Sequence, residues 1–240
     1  MKFEDIKKLH QKKFREELGH FLVEGEHLVQ ELEKAAQHDE RLRGAEIYLT
    51  HEYGHVQSVL PTHVINARHM AQISETREPQ GIAAVVPMFS ASAPRAGERA
   101  VYLFEIRDPG NLGTILRSMA WFGDFRCLLA PDSVEPFNGK VVRASMGAIF
   151  HVPVEVDVPF ESLRERFPRI ASLDLQGEAI TSAGFADFDC YLFGNEARGL
   201  PREAVQQSGA RAFTIAGAGA IESLNVAAAV NMALYEIHRR

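Results

Sequence analysis

From residue 101 onward, apolar runs of strand length alternate with segments of helical period, and that alternation constrains the fold more than any other feature. The runs lie at 101–106, 125–130, 152–158, 170–175, 191–193 and 212–215. Strands apolar on both faces and separated by helices belong in a mainly parallel sheet covered on both sides. A last helix is expected over 225–240, with Val226, Ala229, Val230, Ala233, Leu234 and Ile237 at helical spacing. Ser223 is its expected N-cap, and His238, Arg239 and Arg240 suit its negative C-terminal end.

Upstream, helix-like stretches at about 4–18 and 26–37 alternate with short apolar runs at 21–23, 47–49, 64–65 and 82–86. This reads as a small α/β domain over 1–87. Residues 88–99 are small and polar, carry Pro94 and Gly97 and show no period, so they read as a linker. The second domain then spans 100–240. No internal repeat or low-complexity tract is present.

Composition sets outer bounds. A chain of 240 residues with 46% apolar and 24% charged residues has the make-up of a soluble globular protein with a sizeable core. No stretch approaches the roughly 20 apolar residues of a membrane span. The opening Met1-Lys2-Phe3-Glu4-Asp5 lacks the apolar core of a secretory signal and is too acidic for a transit peptide, which predicts a cytoplasmic protein. Cys127 and Cys190 lie in apolar, strand-like surroundings outside any C-x-x-C, and read as buried thiols of a reducing compartment.

A net charge of −6 speaks against a nucleic-acid partner in sum but not in distribution. Residues 1–15 hold Lys2, Lys7, Lys8, Lys12, Lys13 and Arg15 against only Glu4 and Asp5. Such a run is either a phosphate-facing surface or the solvated side of a helix.

Three blocks occupy the junctions where a strand-like run gives way to a turn and a helix. They are Asn111-Leu112-Gly113-Thr114-Ile115-Leu116-Arg117, Gly194-Asn195-Glu196-Ala197-Arg198-Gly199-Leu200, and Ile221-Glu222-Ser223-Leu224-Asn225-Val226. At such junctions backbone amides are free and small residues let a ligand approach. Gly194 allows close backbone approach to a flat ring, and Glu196 is charged where open α/β sheets place ligands. Before the third block, Ala216-Gly217-Ala218-Gly219-Ala220 offers amides to a ligand but lacks the third glycine of a dinucleotide fingerprint. Taken singly, Asn111, Ser223 and Asn225 read equally well as helix caps.

His51-Glu52-Tyr53-Gly54-His55 is formally an H-E-x-x-H, which on a helix would present two imidazoles to zinc beside a general base. It contains Gly54 and opens only a short, weakly periodic segment, and Glu75 is a weak candidate for a third ligand. No metal site is expected. Neither a G-x-S-x-G elbow nor a phosphate-binding Walker loop is present.

In order and spacing the three blocks resemble the signature motifs of SpoU-type RNA ribose 2′-O-methyltransferases, of the SPOUT superfamily. Val142-Arg143-Ala144-Ser145-Met146-Gly147-Ala148 followed by His151-Val152-Pro153-Val154 is similar to that family's middle segment. Residues 1–87, with Phe21-Leu22-Val23-Glu24-Gly25, resemble the substrate-binding domain that precedes it in many members.

The resemblance implies an α/β-knot domain with a deep trefoil knot, a homodimer, and S-adenosyl-L-methionine as cofactor. It implies methylation of ribosomal or transfer RNA, without metal or membrane. Carried over by motif, the cofactor touches Gly194, Ile215 and Leu224, and the catalytic set is Asn111, Arg117, Glu196, Ser223 and Asn225. Lys7, Lys8, Lys12, Lys13 and Arg143 are the expected RNA contacts. Ala197, Ala216 and Ala227 depart from residues common in the family, all by small changes. Two alternatives stay open: a relative that binds RNA or cofactor without transfer, and a zinc hydrolase using His51, Glu52 and His55.

Overall fold

Two separate sheets divide the chain in the computed structural model, which describes residues 1–239. Arg240, one of the residues expected at the last helix end, lies outside the described residues. In chain order come α1 (Phe3–Ile6), α2 (Lys12–Leu18), β1 (His20–Glu24), α3 (Glu26–Ala36), β2 (Glu46–Leu49), β3 (Thr62–Val64), α4 (Ala67–Ile73) and β4 (Ile82–Pro87). Next are β5 (Arg99–Leu103), α5 (Pro109–Phe122), β6 (Phe125–Leu129), α6 (Gly139–Ser145) and β7 (Val154–Glu155). The chain closes with α7 (Leu163–Arg166), β8 (Ile170–Ala179), β9 (Cys190–Phe193), α8 (Arg202–Ser208), β10 (Arg211–Thr214) and α9 (Val226–His238).

One compact unit combines Met1–Phe89 with Glu135–His151. Its sheet runs β1-β4-β2-β3, antiparallel except between β2 and β3. The amphipathic α3 buries Leu28, Val29, Leu32, Ala35 and Ala36, one helical stripe, toward β1 and β4. The stretch expected as one helix over 4–18 is broken by a 3-10 turn at Lys7–His10 and an extended Gln11.

The sequence reading runs its second domain through 135–151 without a break, whereas that segment packs in this first unit. Phe137, Val141, Val142, Ala148, Ile149 and Phe150 are buried, and the Phe137 ring lies 4.6 Å from that of Phe21. Arg15, 3% exposed, forks onto Glu135 (Nε to Oε1 3.0 Å, Nη2 to Oε2 2.5 Å) and donates from Nη1 to the Leu9 carbonyl at 2.7 Å. So the end of the basic run is a buried structural ion pair.

The other unit takes Ser90–Val134 and the chain from Val152 onward. Its six strands are all parallel, in the order β10-β8-β9-β5-β6-β7. All six expected runs therefore fall in the one parallel sheet. The third is cut to two residues because Val156 is exposed and Asp157 turns left-handed at φ 53°. Tyr102, Leu128, Phe160, Leu163 and Leu192 anchor the core on one side of the sheet. Cys127 and Cys190 are buried free thiols, and burial pushes both pKa values up.

The expected linker is gripped at its end. Arg126 donates to Glu98 (3.0 Å), to Glu155 (3.0 Å) and to the Ser92 carbonyl (2.8 Å). The expected stripe on the last helix is satisfied within the unit, since Val226, Val230, Ala233, Leu234 and Ile237 are buried and α9 packs along α5. The exposed apolar side chains are others: Met232 and Tyr235 on α9, and Trp121 on α5 at 84% exposure.

Candidate active site

β5 and β9 are neighbours and parallel, so the chain leaves both at the same edge of the sheet. Ligands of open α/β sheets bind beyond that edge. After β5, Glu105 takes a left-handed conformation at φ 47°, and Asp108 caps α5 by accepting from the Asn111 amide at 2.7 Å. Pro109 begins the helix, where its missing N–H costs nothing. This fixes Asn111 in the first turn of α5.

After β9 the chain makes a tight loop closed by Asn195 and Gly199, whose amides and carbonyls pair reciprocally at 3.1 and 2.9 Å. A Cβ on Gly194 would collide with the Gly199 backbone and lie 2.6 Å from the Leu200 nitrogen. The loop's own return thus already requires glycine there, before any ligand. Asn195 is 8% exposed; its Oδ1 accepts from the Ala197 and Arg198 amides at 3.0 and 3.2 Å, and its Nδ2 donates to the Glu105 carbonyl at 2.8 Å. The same side chain therefore ties the β9 loop to the end of β5.

Three residues predicted from sequence are joined in one hydrogen-bonded chain. Asn225, and not Ser223, is the N-cap of α9: its Oδ1 accepts from the Ala227 and Ala228 amides at 2.9 and 3.2 Å. That fixes the orientation of its amide, so Nδ2 donates to Asn111 Oδ1 at 2.9 Å. Asn111 Nδ2 then donates to Glu196 Oε1 at 3.1 Å. The direction of every donor follows from the positive end of α9, and Glu196 Oε1 is the terminal acceptor.

Among the described residues, the side chains of the remaining predicted residues make no hydrogen bond to that chain. Arg117 is exposed on α5, six residues beyond Asn111, and has no hydrogen-bond or ion-pair partner among the described residues. Ile215 is half-buried after β10, and Ser223 and Leu224 are exposed. Across 216–224 the amides donate no backbone hydrogen bond among the described residues.

In the first unit, Lys7, Lys8 and Lys12 pair locally with Glu4 (2.5 Å), Asp5 (2.7 Å) and Glu16 (3.6 Å), which reduces the charge they offer a phosphate. Lys13 has no such pair among the described residues and lies over the Phe14 ring. Arg143 sits 3.2 Å from Glu75 and 3.4 Å from Glu24, so the Glu24-Gly25 and Arg143 motifs meet in one ion cluster.

His51–Tyr53 is a 3-10 turn ended by Gly54, which cannot give the i, i+4 pairing of an α-helix, and His55 Nδ1 is bonded to the Glu52 carbonyl. Among the described residues no three metal-ligating side chains converge. Sequence reasoning missed Glu105 and Asn195. Asn195 lies inside the Gly194–Leu200 block, but a left-handed glutamate has no signature in sequence.

The SpoU rRNA Methylase family model matches residues 98–235, and the MRM3-like substrate binding domain model matches residues 2–84. The chain is 31% identical over 249 residues to the 23S rRNA (guanosine(2553)-2′-O)-methyltransferase RlmP of Bacillus subtilis, covering 98% of this chain and 95% of that one. Among solved structures it resembles a TrmH-family protein of Porphyromonas gingivalis (TM-score 0.85, 26% identity, 99% and 96% of the two chains). An AdoMet-bound rRNA methyltransferase of Sinorhizobium meliloti gives TM-score 0.83 at 27% identity over 99% and 94%. With a family model spanning more than half of its length and a relative aligned almost end to end, the chain belongs to the SpoU rRNA methylase family.

Proposed function

We propose that this protein transfers a methyl group from S-adenosyl-L-methionine to a ribose 2′-hydroxyl of ribosomal RNA, with transfer RNA as the other substrate class the family reading admits. The observation that carries the proposal is the oriented chain Asn225–Asn111–Glu196 at the carboxyl edge of the parallel sheet, with unpaired Arg117 further along α5. It joins residues of all three family motifs.

The residues fit the cofactor. The loop 216–224 combines amides without backbone partners with exposed Ile221 (72%) and Leu224 (44%), as a ligand with an adenine face and polar ends requires. When bound, S-adenosyl-L-methionine supplies a sulfonium-activated methyl group. The chain's own task is to position the acceptor hydroxyl and to stabilise charge developing on its oxygen. A guanidinium keeps its proton at neutral pH, so Arg117 acts as a cation on the acceptor phosphate and the developing alkoxide, and not as the base. The proton leaves through phosphate or water. Asn111 and Glu196, locked by the α9 N-terminus, present a fixed donor and acceptor to the nucleotide.

No helix among the described residues is long and apolar enough to cross a membrane. The reading assigns the enzyme to the cytoplasm, where ribosomal RNA is its substrate. Nucleoside mass spectrometry of a deletion strain should show one ribose methyl mark lost from ribosomal RNA and restored by the wild-type gene. An unchanged profile in both ribosomal and transfer RNA, with cofactor binding intact, would instead support the non-catalytic relative.

The reading includes a homodimer, and its support is the outer face of α5 and α9. Phe122 packs edge-on to Tyr235 (6.4 Å) and against His238 (5.4 Å), making that face continuous with exposed Trp121, Met232 and Tyr235. Apolar area of this kind is covered in a stable protein. The wild type should sediment at twice 26.7 kDa at micromolar concentration, and Trp121→Glu should shift it to the monomer. A monomeric wild type would remove the claim.

A further inference from the structure

Beside the hydrogen-bonded chain, Glu105 holds two arginines with one carboxylate. Its Oε2 pairs with Arg198 Nη2 and also lies 3.6 Å from Arg107 Nη2. Two positive charges converge on a single negative oxygen, leaving one uncompensated. The arginines are 62% and 65% exposed, whereas the glutamate is 18% exposed. The cations are therefore free to move and the carboxylate is not. Glu105 is fixed by its left-handed backbone and by Asn195, which donates to its carbonyl.

The other carboxylates on these segments are engaged elsewhere. Asp108 caps α5, and Glu196 accepts from Asn111. Arg198 sits two residues from Glu196 on the same closed loop, so whatever anion it holds is placed next to the transfer site. Guanidiniums prefer the paired oxygens of a phosphate, and an exposed ion pair is worth little against a competing anion.

We propose that Arg107 and Arg198 form an exchangeable phosphate clamp, in which Glu105 holds both arginines in place until a phosphodiester of the RNA strand displaces its carboxylate. The clamp is separate from Arg117 and takes a different phosphate from the one beside the methylated ribose. It binds acceptor and leaves the cofactor alone. This inference rests on the RNA-methyltransferase reading.

The test uses the full chain and an unmodified 23S ribosomal RNA transcript, with binding measured across about 50–200 mM salt, the range over which phosphate contacts show. Arg107→Gln combined with Arg198→Gln should weaken binding about tenfold and flatten the slope of log affinity against log salt by about 0.7–0.9, the value of one phosphate contact. Arg198→Lys should keep the slope, which counts charges, while losing part of the affinity. Glu105→Gln should tighten RNA binding, because the competing anion is gone. Affinity for S-adenosyl-L-methionine, measured by calorimetry, should stay within about twofold throughout, as expected for acceptor contacts.

A double variant with wild-type affinity and slope overturns the clamp. So does a parallel fall in cofactor affinity, which would assign the pair to holding the loop. A wild-type protein that binds no RNA and transfers no methyl group overturns the underlying reading instead.

Discussion

Arg117→Ala should abolish methyl transfer in single-turnover assays while leaving S-adenosyl-L-methionine affinity nearly unchanged. The expected loss is about 3–4 kcal/mol, or about 10²–10³ in rate, as for removal of one preorganised stabiliser of a developing oxyanion. Arg117 has no partner among the described residues, so its removal unfolds nothing and leaves no buried charge behind. Its cation would be repelled by a sulfonium, which leaves the anionic acceptor as its useful partner. Arg117→Lys should rescue only in part, because a point charge does not reproduce the guanidinium fork. Tenfold weaker cofactor binding with normal chemistry would place Arg117 on the other side of the reaction.

A loss of stability of comparable size is expected from Arg126→Ala. The Arg126 and Glu98 side chains are 4% and 3% exposed, and Glu98 Oε1 already lacks a hydrogen-bond partner. Removing the arginine leaves the buried Glu98 with only exposed Arg95, at 3.7 Å, as a counter-charge and frees the Ser92 carbonyl, at a cost of about 3 kcal/mol. At roughly 2–4 °C per kcal/mol, the melting temperature of that unit should fall by about 10 °C. Arg166→Ala removes an exposed arginine from the same Glu155 oxygen and should cost about 1 kcal/mol or less. If Arg126→Ala melts with the wild type, the cluster contributes no net stability.

The parallel sheet was legible because its central strands, β5, β6 and β9, are apolar on both faces. The strand at one edge, β7, fell furthest short, where exposed Val156 and left-handed Asp157 end the pairing. Of the site, Asn111, Glu196 and Asn225 were legible as motif residues, but their order along one hydrogen-bonded chain was not. That order depends on which asparagine caps α9, and Ser223 and Asn225 are equivalent candidates until the helix start is known. Arg15 shows the same limit from the other direction. In sequence it is the end of a basic run, and only its burial against Glu135, 120 residues away, makes it structural. Long-range ion pairs leave no local period to read.

The division of the first unit into two stretches of chain has a consequence for synthesis. A ribosome releases residues 1–89 first, yet Arg15 then lacks Glu135, Phe21 lacks Phe137, and Glu24 lacks Arg143. The unit that comes off the ribosome first therefore cannot finish first. Its sheet and the core of Leu22, Tyr48, Met70 and Ile73 lie within 1–89, but these pairs form only after β5, α5 and β6 are made and 135–151 has emerged. N-terminal-first folding, the usual order for domains made in succession, therefore leaves this unit incomplete until then. The interval between the two stretches is the period in which a nascent copy is most open to capture by a chaperone or a protease.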